Sequence, residues 1–229
     1  MDAVIPKTVF YLFGLPISDT LVSTWVMMAI IILVAFLIRK FKPAMGEMMV
    51  EMINDIVSSV MPENVNLTKF LPFLGTLSIF LIFGNIFSIF PGMVSPTANL
   101  NTTAALSILV FFAVHFYGVQ EKGLGGYLKD FANPIFMLPM EIIGQISRTL
   151  SLAVRLFGNI LSTDLIVAIV FSLIPFLVPL PLIALGMLTG ILQAYIFLVL
   201  ASLFIGSAVE IENMEKERRV LKEEVSKSL

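Results

Sequence analysis

Hydrophobic residues run along this chain in blocks longer and more uniform than the single apolar stripe of a soluble helix. A bilayer core about 30 Å thick takes roughly 20 apolar helical residues. Five blocks approach or exceed that length, at 21–38, 70–90, 102–118, 134–174 and 181–210. Trp25 lies near the outer end of the first, Pro72 opens the second, and Pro91 and Gly92 close it. Each block predicts a membrane helix. Residues 43–61 follow another pattern, with Glu47, Glu51 and Asp55 spaced by four. All three acids then share one helical face and methionines fill the other, which fits a helix lying along the cytoplasmic membrane surface or a solvated linker helix. The expected fold is an all-α integral membrane protein of about five membrane helices plus this amphipathic surface helix.

Length sets the fourth block apart. Pro139 and Pro175 bracket 35 residues without a proline, a helix of about 50 Å, too long for an upright span. The fifth block, about 40 Å by the same arithmetic, exceeds the bilayer less. Joined by the corner "PFLVPLP" at 175–181, the two predict a strongly tilted hairpin.

Composition agrees and narrows the chemistry. The chain has 229 residues, 58% of them hydrophobic and 13% charged, with a mean hydropathy of +1.00, far from the values of soluble domains. With no cysteine and His115 as the single histidine, disulfides, thiolate metal sites and multi-histidine centres are excluded. The glycines at 123–126 lack the lysine of a phosphate-binding loop. No internal repeat is evident, and no cofactor, metal or nucleic-acid partner is implied. The net charge of -2 matters less than where the cations lie. Arg39, Lys40, Lys42, Lys69, Lys122, Lys129 and the cations of the 211–229 tail fall on one side of the expected topology, and Lys7 alone on the other. This asymmetry predicts an external amino-terminal segment at 1–20 and a cytoplasmic carboxyl terminus, which five crossings satisfy. The first block reads as a span and not a signal peptide, because no basic segment precedes it and "RKFKP" follows.

The fourth block contains polar residues that lipid alone does not explain. With Arg155 at zero and 100° per residue, Glu141 falls at about +40°, Arg148 at about +20°, Ser151 at about -40°, Asn159 at about +40° and Ser162 at about -20°. They form one stripe, and Asp164 faces the opposite way at about 180°. Hydrogen bonding between helices accounts for serines in such a stripe. Arg155 needs more. An arginine at a helix centre costs about 2.5 to 3.5 kcal/mol on insertion scales and keeps its proton. It needs an anionic partner or water, and Glu141 is fourteen residues, about 21 Å, away along the axis, so the partner is expected on another polypeptide.

The segment "LSLAVRLFGNILSTDLI" followed by "LPLIALGMLTGILQAYIFLVLASLFIGSAVE" resembles the carboxyl-terminal half of subunit a of F-type ATP synthases. The resemblance extends through "FLGTLSIFLIFGNIFSIFPGMVSPTANLNTTAALSI" and, more weakly, "FGLPISDTLVSTW". It implies a stator subunit that provides two offset half-channels for protons or sodium ions and couples their flow to rotation and ATP synthesis. Partners would be the rotor c-ring, the peripheral-stalk b subunits and, indirectly, the soluble catalytic sector. The chain itself would perform no bond chemistry, and its place would be a bacterial cytoplasmic membrane. Arg155 matches the stator arginine that faces the ring carboxylates, and Asn159 the asparagine beside it. Gln193 matches a glutamine of the last helix, expected against the arginine. Asp164 matches an acid of the external half-channel and Glu141 one of the cytoplasmic half-channel, with Ser151 lining that route. Gly186 stands where some members carry a histidine, which leaves water as the conduit for Asp164.

A competing class is a secondary transporter using Arg155 for an anionic substrate at a midplane site. The missing repeat symmetry weighs against it, and no serine-histidine or paired-aspartate constellation supports a membrane hydrolase. His115 reads as a hydrogen-bonded interfacial histidine. Asn99, Asn101, Thr102 and Thr103 read as caps of the third span, and Asn133 with Pro134 as a helix start. The spacing of Gly186 and Gly190 suits close helix packing.

Overall fold

The computed structural model describes residues 8–12, 15–62, 65–87, 95–131, 138–174 and 179–228. The helix ends expected at Pro91–Gly92 and Asn133–Pro134, like Lys7, lie outside these residues. The described chain is helical except for an antiparallel ribbon of β1 (Thr8–Leu12) and β2 (Leu15–Ser18) and short 3-10 turns. Both edges of a two-stranded ribbon present unpaired backbone groups, so it belongs outside the hydrocarbon.

Helix α1 covers Asp19–Phe41, with Asp19 in its first turn and Arg39 and Lys40 in its last, matching the signs of its macrodipole. It stops because Pro43 drives Lys42 out of helical geometry, to φ -144° and ψ 68°. Pro43 then opens α2, Pro43–Ser58, whose Ile53 and Val57 are buried while Glu47, Glu51 and Asp55 stay exposed. Helix α3 is Leu71–Phe87. Asn99 caps α4, Leu100–Phe131: its carbonyl oxygen accepts from the Thr102 and Thr103 N–H groups and its side chain from that of Asn101. Gly123, at φ +70°, breaks α4 after its apolar part, a conformation that favours glycine. His115 on α4 is half-buried and contacts the Phe111 carbonyl through Nδ1 at 2.7 Å. Helices α5 (Leu138–Leu173) and α6 (Pro179–Ser228) complete the fold.

Helix α6 is the centre of the bundle. Its Phe197, Leu198, Ala201 and Ile205 pack among Leu74, Leu77 and Leu81 of α3, Val110 and Val114 of α4, and Leu152 and Leu156 of α5. In the apolar stretch of α6, 44% of residues are buried, against 11% in α5 and in α1. Helix α5 is therefore long, apolar and mostly uncovered by its own chain, so most of its surface is left to lipid or to another polypeptide. Buried hydroxyls in the bundle bond to carbonyls of their own helix or of another element, as Ser202 does to Leu198 at 2.8 Å and Ser95 to Gly84 of α3 at 3.0 Å. Where water is absent, those bonds are what make such groups tolerable.

Candidate functional site

The phase of α5 follows from which residues its neighbours cover. Leu152, Leu156, Ile160 and Ala153 are buried, an arc from about +60° to +160° on the scale that sets Arg155 at zero. The polar stripe lies off that arc. Glu141, Arg148, Ser151, Arg155 and Ser162 are all exposed, and Asn159, nearest the arc, is half-buried. Leu150, Val154 and Ile166 on the same open side are exposed too. Arg155 thus presents a permanent cation from an apolar surface. Among the described residues no carboxylate forms an ion pair with it, and none of the cations pairs with Asp164 or Glu141. The Glu141 carboxylate accepts a hydrogen bond from Gln145 Nε2 at 3.2 Å. Two turns closer to Arg155 than Glu141, the Arg148 guanidinium lies over the Phe204 ring, 5.6 Å from its centroid. A cavity of about 10 Å³ borders Ser107, Gln145, Arg148 and Thr149, at the lower limit for one water molecule.

Two contacts set the register of α5 against α6. Thr163 packs its methyl group where a Cβ on Gly186 would lie, and Asn159 Nδ2 donates to the Thr189 carbonyl at 3.4 Å. Moving back along α5 from 163 to 159 means moving forward along α6 from 186 to 189, so the helices are antiparallel. The next turn sets Arg155 level with Gln193. Gln193 is buried and Arg155 exposed, so they share a level while Arg155 keeps to the open side. Asp164 follows Thr163 and is exposed; the space that a larger residue at 186 would use belongs to Thr163.

Gly186→Ala is expected to have a modest effect. The obstructing atom is the terminal methyl of Thr163, whose rotation gives up only the 3.1 Å bond from its hydroxyl to the Asn159 carbonyl. A loss of about 1 kcal/mol is expected; a thermal unfolding shift as large as that of Gly190→Ala would contradict this reading.

The site also includes a residue that reasoning from the sequence missed. Asn85 of α3 is buried and donates through Nδ2 to the Gly190 carbonyl at 2.9 Å and to its own Leu81 carbonyl at 3.0 Å. The signal was a shared tetrad, "FGNI" at 83–86 and again at 157–160. Both asparagines reach successive carbonyls of α6.

A family model described as ATP synthase A chain matches residues 21–206. The protein named ATP synthase subunit a 2 of Bradyrhizobium sp. (strain BTAi1 / ATCC BAA-1182) is 56% identical over 101 residues, 44% of this chain and 45% of that protein. ATP synthase subunit a of Albidiferax ferrireducens is 53% identical over 100 residues, 43% of each chain. ATP synthase subunit a 2 of Picosynechococcus sp. (strain ATCC 27264 / PCC 7002 / PR-6) is 48% identical over 118 residues, 51% of this chain and 50% of that protein. The chain spans about half the length of the curated relatives it matches.

Proposed function

The chain belongs to the ATP synthase A chain family, that of subunit a of F-type ATP synthases, and from that premise we propose that it is the stator along which a rotor ring carries protons or sodium ions. The observation that carries this reading is Arg155, a permanent cation on the uncovered apolar face of α5 with no carboxylate paired to it among the described residues. A ring carboxylate is its complement. At about 4 Å and an effective dielectric near 20, such a pair contributes on the order of 4 kcal/mol, enough to offset the insertion of the arginine. Moving one charge through 100 mV supplies about 2.3 kcal/mol, more than half the strength of such a pair, so a membrane potential substantially offsets it.

Arg155 then acts in two ways. A carboxylate arriving with its ion exchanges it for the guanidinium as counter-charge, and the fixed positive charge keeps a cation from passing straight along the face. Ions instead enter and leave by offset half-channels. Glu141 and Ser151 serve the cytoplasmic one. Asp164, about 14 Å along α5 beyond Arg155, serves the external one with water as its conduit. In this reading Gln193 supports the arginine at its level and Asn159 ties the two helices there. The amino terminus is external, the carboxyl terminus cytoplasmic, and the membrane a bacterial cytoplasmic one. The chain makes no bonds itself; it couples ion flow to rotation, with the c-ring and peripheral-stalk b subunits as direct partners and the soluble catalytic sector as an indirect one.

Cysteine cross-linking in assembled membranes tests this. Ser151→Cys and Ser162→Cys on the exposed stripe are expected to form disulfides with cysteines flanking the ring carboxylate, and the buried Ser202→Cys is not. A complex that assembles but cross-links at neither stripe position would contradict the rotor-facing assignment.

A further inference from the structure

Two amides grip the turn of α6 that precedes Gln193. Asn159 reaches the Thr189 carbonyl from α5, and Asn85 reaches the Gly190 carbonyl from α3. Successive carbonyls of an α-helix point about 100° apart around the axis, so the two bonds pull from different directions. Apolar packing is non-directional, and a smooth helix held by it alone can rotate or slide by a fraction of a turn. Hydrogen bonds are directional, and a pair on neighbouring carbonyls fixes both rotation and depth. Gly190 makes the grip possible: a Cβ there would lie 2.7 Å from Asn85 Cγ and 3.1 Å from its Cβ. In helical geometry the Thr189 carbonyl also accepts the Gln193 N–H. The gripped turn therefore carries Gln193.

We propose that Asn85 is a positioning residue for ion translocation, forming with Asn159 a two-sided amide clamp that holds Gln193 at the level of Arg155. Asn85 acts through Gly190 and the body of α6. This rests on the stator reading of Arg155 and adds α3 to the elements that determine the geometry there.

The test separates position from transport. Thr163 Cβ lies 3.7 Å from where a Cβ on Gly186 would be, inside the range of about 3.5 to 4.5 Å that a disulfide needs. The chain has no native cysteine, so Thr163→Cys with Gly186→Cys is a clean reporter of the α5–α6 register in the assembled complex. Adding Asn85→Leu, similar in size but without a donor, is expected to slow formation of that disulfide about tenfold, the scale of one buried hydrogen bond. In the chain without the cysteine pair, Asn85→Leu is expected to lower the ions moved per ATP hydrolysed by a similar factor. If Asn85→Leu fails to assemble, Asn85→Ala, which only empties the site, takes its place in both measurements. An unchanged disulfide rate would overturn the clamp even if transport fell, and so would unchanged transport. Failure of the stator reading is separately visible, as ATP-driven transport that persists in Arg155→Ala with the clamp intact.

Discussion

Complexes carrying Arg155→Ala will assemble and lose at least about a hundredfold of their ATP-driven ion uptake. Assembly survives because the side chain projects from the open face of α5, and the residues that seat this helix are Leu152, Leu156 and Ile160 on another arc. On the stator reading uptake fails because alanine leaves the arriving carboxylate without a counter-charge worth on the order of 4 kcal/mol, which exceeds the energy of a hundredfold change in rate. Arg155→Lys should restore only part of the loss. Lysine presents a compact ammonium that can yield its proton when desolvated, whereas the guanidinium stays charged and spreads its donors in a plane. Quenching of an ion-sensitive dye in inverted vesicles, normalised to the amount of assembled complex, measures both variants. Wild-type uptake by Arg155→Ala would contradict the role given to the guanidinium.

Gly190→Ala is expected to destabilise the packing of α3 on α6 by about 3 kcal/mol, combining overpacking with the loss of a buried hydrogen bond. The obstruction differs from that at Gly186. Asn85 is buried and tied to two carbonyls, so its Cγ and Cβ cannot swing aside as a terminal methyl can. Adding Asn85→Ala to Gly190→Ala should recover much of the stability by removing the obstruction, without recovering the clamp. Thermal unfolding of the purified complex in detergent, for both single variants and the double, gives the coupling energy between the two sites. Simple additivity would show that these residues do not meet.

The helical membrane class was legible because the bilayer imposes a length requirement that hydropathy reports directly. Among the described residues, helices α1, α4, α5 and α6 each carry an apolar stretch long enough to cross, while α3 shows 17 residues. The ribbon of Thr8–Leu12 and Leu15–Ser18 was not anticipated: strands of five and four residues carry little periodic signal. The stripe on α5 is legible in the residue spacing alone, since helical phase fixes relative directions once a helix exists. Which arc its own chain covers is not. In a soluble helix polarity marks the outer face; in lipid, Leu156 and Val154 are alike in hydrophobicity, yet one is buried and the other exposed. Asn85 and Thr163 were hidden for the same reason, since their partners at Gly190 and Gly186 are defined only by the packing of three helices.

The measurement that tests the stator reading most directly is dependence on the rotor. Vesicles containing the complete complex, and vesicles containing this chain without the ring, would be supplied with ATP and then with an imposed membrane potential, with proton, sodium and anion movements followed separately. Expected is uptake of one cation driven by ATP in the complete complex, and no coupled movement of any ion by the chain without its ring. Sustained substrate-like anion transport by the chain alone would contradict the stator reading and assign Arg155 to an anion site.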